Sequence, residues 1–170
     1  MCIRDSVNTV HTIRATFALD THSLTIIPSG TGIGTTTPSA GSHQYDYGSL
    51  VDLSASPSTS STFTGWSGDI DVSGNTVTMD GDKSVTATFT LRTFSISATS
   101  GENGTIDPDG TATVNYGSNR VFTFTPADGY EVDTVTVDGQ PTTVTGTTYT
   151  FSNFTDNHTI CLLYTSPSPR

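Results

Sequence analysis

Three groups of residues in this chain have the types and spacing for chemistry. Asp69-Ile70-Asp71-Val72-Ser73-Gly74, with Asp80 at the twelfth position, follows the spacing of a calcium loop. Calcium needs several oxygens on one tight turn, and the glycine at the sixth position lets the chain make it. Against this, Asp stands where such loops place a bidentate Glu, no helical periodicity flanks the segment, and Thr76-Val77-Thr78-Met79 reads as a strand. A solvated hairpin loop is the favoured reading. The next repeat has no such loop, so calcium is not a property of the repeat. Asp107-Pro108-Asp109-Gly110 sets two carboxylates close together, but Asp, Pro and Gly in that order are ordinary turn chemistry. Tyr45, Tyr47 and Trp66 could present aromatic faces to a sugar ring. Aromatic pairs in a small β core have the same composition, and that reading is preferred.

The four histidines, His11, His22, His43 and His158, are scattered. His11 and His158 hold the same repeat position beside a turn, which makes them structural. The chain has no Ser-His-Asp spacing, nucleophile elbow or phosphate loop. No catalytic, cofactor-binding or metal residue is assigned, no cofactor is expected, and the chain is read as non-enzymatic.

What positions these residues is a repeated strand. Lys83-Ser84-Val85-Thr86-Ala87-Thr88-Phe89 follows the turn Asp80-Gly81-Asp82. It has an echo in His11-Thr12-Ile13-Arg14-Ala15-Thr16-Phe17 and an incomplete one in Asn157-His158-Thr159-Ile160. Alternation with a period of two marks a strand with one buried face. Between the echoes the same order of features recurs. Gly34-Thr35 and Pro38 match Gly104-Thr105 and Pro108, Tyr47-Gly48-Ser49 matches Tyr116-Gly117-Ser118, and Pro57 matches Pro126. The runs on either side of Tyr47-Gly48-Ser49 read as a hairpin. Within Leu50-Val51-Asp52-Leu53-Ser54-Ala55, Leu50 is read as buried, on the face away from Val51, Leu53 and Ala55. Thr, Ser and Gly dominate while Leu, Lys and Glu are scarce, which favours strands and turns over helices. The expectation is an all-β chain of tandem small domains. Residues 7–18 are the closing strand of a repeat truncated upstream, 22–91 a complete repeat, and 93–160 a second repeat lacking its last residues. Leu19-Asp20-Thr21 is a very short connector, so the array should be stiff.

The two ends stand apart. Residues 1–6, Met1-Cys2-Ile3-Arg4-Asp5-Ser6, can be encoded by one strand of a short DNA whose reverse complement encodes Cys161-Leu162-Leu163-Tyr164-Thr165. Both resemble the transposase adapter of shotgun sequencing, and Ser166 to Arg170 fit its continuation. Residues 1–6 and 161–170 are accordingly set aside as processing scars. On that reading residues 161–170 pack poorly, or fill the missing end of the closing strand only by accident. Both cysteines, Cys2 and Cys161, lie in these ends, so a disulfide or thiolate metal site between them is not expected. A signal peptide upstream is compatible with the reading.

Charge bounds the partners. The chain carries −10, with 6 Lys+Arg against 16 Asp+Glu, and Lys83 is its one lysine. Such a surface repels phosphate, which argues against nucleic acid and against anionic membrane.

The order Tyr-Gly-Ser, a Thr- and Ser-rich strand ending in Pro, Phe63-Thr64-Gly65-Trp66-Ser67-Gly68-Asp69 and Lys83 to Phe89 resembles the bacterial internalin-type B-repeat family in its divergent form. The second repeat is similar through Asp128-Gly129-Tyr130 and Asn157-His158-Thr159-Ile160, but lacks Gly-Trp-Ser-Gly. The resemblance covers nearly all of residues 7–160. It implies compact β-grasp-like or sandwich-like modules in large cell-surface or secreted bacterial proteins, with no catalytic residues to carry over. There they act as spacers beside a functional domain or, alternatively, as adhesive modules for a glycan or a surface protein. The expected partners are neighbouring repeats of the same chain, and the expected location is extracellular.

Overall fold

The computed structural model describes residues 14–71 and 74–166. Residues 1–6, most of the 7–18 segment with His11, Val72 and Ser73 of the acidic loop, and residues 167–170 lie outside them. The described residues contain strands and no helix, as the scarcity of helix formers requires.

The first unit has eight strands: β1 (Thr21–Gly30), β2 (Gly34–Thr37), β3 (Gly41–Asp46), β4 (Leu50–Asp52), β5 (Ser54–Pro57), β6 (Ser61–Gly68), β7 (Thr76–Thr78) and β8 (Lys83–Leu91). Four of them form a sheet in the order β3-β1-β8-β6. The central pair, β1 and β8, is parallel, and both flanking pairs are antiparallel. The small ribbons β2-β5 and β4-β7 form a second layer. Leu24, Ile26 and Val85 from the sheet meet Val51, Leu53, Val77 and Met79 from the other layer to make the core. Burial on β8 follows the predicted alternation, with Val85, Ala87 and Phe89 inward and Thr86 and Thr88 between them half-buried.

The second unit repeats this plan with β9 (Thr93–Ser100), β10 (Gly104–Asp107), β11 (Gly110–Asn115), β12 (Arg120–Pro126), β13 (Glu131–Val137), β14 (Gln140–Thr142), β15 (Thr148–Phe151) and β16 (His158–Thr165). Its main sheet runs β11-β9-β16-β13-β14, and its second layer is the three-stranded sheet β10-β12-β15. One long strand, β12, thus does the work that β4 and β5 share in the first unit. Phe122, Phe124, Phe151 and Phe154 fill this core, where the first unit uses Val51, Leu53, Val77 and Met79. Registers agree between the units. Ile26 pairs with Val85 as Ala98 pairs with Ile160, and each antiparallel partner strand carries a bulge, at Phe63/Gly65 and at Val132/Thr134.

The structure differs from the sequence expectation in two places. First, the runs flanking Tyr47-Gly48-Ser49 do not form a hairpin: β3 pairs with β1, and β4 pairs with β7. The turn closes with Ser49 N–H to Asp46 O, but Tyr47 N–H bonds Asp20 O and Gly48 N–H bonds Met79 O. Its donors are satisfied outside the turn, so the chain passes from one layer to the other, helped by a left-handed Gly48 (φ 79°). Secondly, Leu50 is exposed while Val51 and Leu53 are buried, because β4 faces the core through its second residue.

For Cys161 to Thr165 the structure shows the second of the two expected outcomes, filling the end of the closing strand. They continue β16, between β9 and β13, and Leu162 is fully buried. The physical reason is that the period of two runs on unbroken: Ile160, Leu162 and Tyr164 occupy the places of Val85, Ala87 and Phe89. The Tyr164 ring lies over Gly104 as the Phe89 ring lies over Gly34, and its hydroxyl donates to Thr105 O at 2.6 Å. Whatever DNA encodes them, these residues close the second sheet.

Candidate functional site at the repeat joint

A single residue, Arg92, separates β8 from β9. Its N–H donates to Ser60 O (2.9 Å) in the first unit, and its own carbonyl accepts from Tyr116 N–H (2.9 Å) in the second. Its guanidinium donates to Thr59 O (3.2 Å) and lies 5.3 Å from the Phe94 ring centroid and 6.0 Å from that of Tyr116. The residue therefore bonds both units through its backbone and through its side chain. A planar cation can hydrogen-bond at its edge while its face rests on aromatic rings.

The same joint geometry recurs at the head of the first unit, with different chemistry. Tyr47 N–H donates to Asp20 O (2.8 Å), so Asp20 stands where Arg92 stands and His22 stands where Phe94 does. The His22 ring lies 5.8 Å from that of Tyr47, with Nε2 3.6 Å from Asp20 Oδ2 and Nδ1 3.9 Å from Asp82 Oδ1. Phe17, Ala18, Leu19, Asp20 and Tyr47 line an open, largely apolar cavity of about 450 Å³ here.

Each unit is also clasped at the entry to its closing strand. Asp82 Oδ1 accepts from Ser23 N–H (2.8 Å) and Oγ–H (2.9 Å), and Asn157 Oδ1 accepts the same pair from Ser95 (2.8 and 3.2 Å). The Ser23 N–H, then its hydroxyl, hold the Asp82 carboxyl below the usual range. A second clasp is shared as well. Asp69 accepts from Ser84 N–H, and Asp138 accepts from Thr159 N–H. At Asp138 burial pushes the carboxyl up, but hydrogen bonds from His158 (2.7 Å) and Thr159 outweigh it, and the net shift is downward.

The carboxylates of the calcium-like pattern are engaged in the fold itself. Asp69 caps β8, Asp71 Oδ2 accepts from the hydroxyls of Thr76 (3.1 Å) and Thr78 (3.0 Å), and Asp80 pairs with Lys83. That pairing, through its hydrogen bond first, lowers Asp80 and raises Lys83. Asp107-Pro108-Asp109-Gly110 connects β10 to β11. The three aromatic candidates are not brought together. Tyr45 and Trp66 pack on the core from opposite edges of the sheet, and Tyr47 sits on the joint beside His22. His43 Nε2 lies 2.7 Å from Ser39 O. His158 contacts the rings of Phe151 and Phe154.

Sequence reasoning missed Arg92 and the Ser23 and Ser95 clasps. A lone cation between two strand patterns and two residues ahead of Phe94 was the available signal.

A family model for the divergent InlB B-repeat domain matches residues 23–93 and again residues 94–165. No curated protein and no solved structure matches the chain. The second match runs through Cys161 to Thr165, the same residues that complete β16. Two matched copies, meeting at the joint beside Arg92 and sharing registers, bulges and clasps, place the chain in the divergent InlB B-repeat family as a tandem pair of its repeats.

Proposed function

We propose that this chain is a structural spacer, a stiff run of repeats that holds another domain at a distance outside a bacterial cell. The observation that carries this reading is the Arg92 joint. One residue leaves little torsional slack between two sheets, and its backbone and guanidinium bonds tie it to both. A flexible tether would use several Gly or Ser residues instead. Thr- and Ser-lined outer faces and the net charge of −10 suit a soluble rod that does not stick to its neighbours. On this reading the module does no chemistry of its own, and its partners are adjoining repeats. Small-angle scattering tests it. The full chain should scatter as an elongated particle of fixed length, and inserting four Gly-Ser residues after Arg92 should broaden its distance distribution. An intact chain that already scatters as two freely jointed bodies would refute the spacer reading.

A further inference from the structure

Asn103 ends the loop between β9 and β10, and Gly104 is the first residue of β10. Asn103 is exposed and holds a left-handed backbone conformation (φ 71°). Its carbonyl accepts from Ala127 N–H (2.9 Å) at the open end of the β10-β12 ladder. Phe124 N–H bonds Thr147 O on the far side of β12, so Thr123 and Thr125 are the residues that face β10. Alternate residues of an antiparallel strand turn their backbone groups to opposite sides. Asn103, Thr105 and Asp107 therefore bond β12, and the Gly104 N–H points away from it. The Asn103 carboxamide makes no hydrogen bond among the described residues, so it is free to swing toward that nitrogen.

An asparagine can react with the backbone nitrogen of the residue that follows it. The nitrogen attacks the carboxamide carbon and closes a five-membered ring, and a Cβ on the following residue obstructs the approach. Gly104 has no Cβ, and its permissive backbone lets the ring close. The other described asparagines are shielded. Asn75, Asn115, Asn119, Asn153 and Asn157 precede Thr, Tyr, Arg, Phe and His. The carboxamide oxygens of Asn119 and Asn157 are also held, by the N–H groups of Asn153 and Ser95. In the first unit Ile33 precedes Gly34, and its carbonyl accepts from Ser58 N–H as that of Asn103 accepts from Ala127. The ladder is shared, and the reactive amide belongs to the second unit.

We propose that Asn103-Gly104 is a site of self-modification by deamidation. Gly104 N bonds to Asn103 Cγ and gives up its proton, the carboxamide C–N bond breaks, and the side-chain nitrogen leaves as ammonia. Water then opens the imide at either carbonyl, leaving aspartate or isoaspartate at position 103. Nothing is oxidised or reduced, and water is the co-reactant. Isoaspartate routes the main chain through the side-chain methylene and adds one backbone atom before Gly104. The carbonyl that met Ala127 becomes a free carboxylate, while Thr105 and Asp107 keep their places on β12. The second unit thus loosens with age at the start of β10.

The experiment holds the folded full chain in warm, mildly alkaline buffer, digests samples over time and locates acid products by mass spectrometry, with fragmentation that tells isoaspartate from aspartate. The expected result is conversion of Asn103 at least about tenfold faster than any other described asparagine, with isoaspartate among the products. The urea midpoint of the aged parent should fall below that of the fresh parent. Asn103→Gln, whose longer side chain would have to close a six-membered ring, should stay an amide over the same period and keep its own fresh midpoint. The assignment is overturned if another asparagine converts first, if aspartate forms without isoaspartate, or if the aged Asn103→Gln protein loses as much of its midpoint as the parent.

Discussion

Trp66 on β6 stands opposite Ala87 on β8, and in the second unit Val135 and Leu162 occupy those two places. The large residue has moved from the edge strand to the closing strand, and the pair conserves bulk while exchanging its members. Packing density explains the trade, since a well-filled core tolerates a change in one partner only when the other compensates. The Gly-Trp-Ser-Gly signature of the first unit is thus one of two solutions to the same packing problem. Trp66→Ala should destabilise the first unit by about 3 kcal/mol. Ala87→Leu alone should overpack it and cost about 1–3 kcal/mol. The double variant Trp66→Val/Ala87→Leu should be more stable than the sum of its singles implies, by about 1 kcal/mol. Urea unfolding of the four proteins measures this coupling, and strict additivity would contradict the proposed trade.

Gly34 and Gly104 are predicted to be irreplaceable for one shared reason. A Cβ on either would overlap an aromatic ring, Phe89 or Tyr164. Gly34→Ala should lower stability by about 1–3 kcal/mol. Adding Phe89→Leu should recover part of the loss, because a shorter side chain leaves room for the methyl group. A Gly34→Ala protein that melts with the parent would show that the ring moves aside freely.

The two clasps differ in how they respond to acid. Asp82 is held below the ordinary aspartate value of about 3.9 by Ser23. Its contribution is therefore complete above that value and is lost as pH falls through the lower folded value. Asn157, in the same place in the second unit, does not titrate. Trp66 is the one tryptophan, so its fluorescence reports the first unit selectively. Between pH 5 and pH 3 the urea midpoint of that signal should fall less in Asp82→Asn than in the parent. Equal falls would show that Asp82 carries none of the acid sensitivity.

Much of this fold was legible in the sequence, because the signals were local. Alternation in Val85-Thr86-Ala87-Thr88-Phe89 located the closing strand, and the recurrence of Tyr-Gly-Ser and Pro located the second repeat. The errors came from non-local pairing. Tyr47-Gly48-Ser49 has a turn's composition, but composition does not say whether the following strand returns to its neighbour or crosses to the other layer. Leu50 and Val51 are both apolar, and only the β4-β7 pairing decides which faces inward. The alternation of Ile160, Leu162 and Tyr164 was itself legible as a strand, whatever DNA encodes residues 161–165. At the joint, Arg92 looked like one surface cation among few. Its role depends on Thr59 and Ser60, more than thirty positions away, which no spacing rule brings together.

The central claim is that two B-repeats are joined into one stiff body through Arg92. Residual dipolar couplings of backbone amides, measured on the full chain in a weakly aligning medium, test it most directly. The account predicts that couplings from residues 21–91 and from residues 93–165 fit a single alignment tensor of one magnitude, and that Arg92→Gly splits them into two tensors of unequal magnitude. Two unequal tensors in the unmodified chain would contradict it.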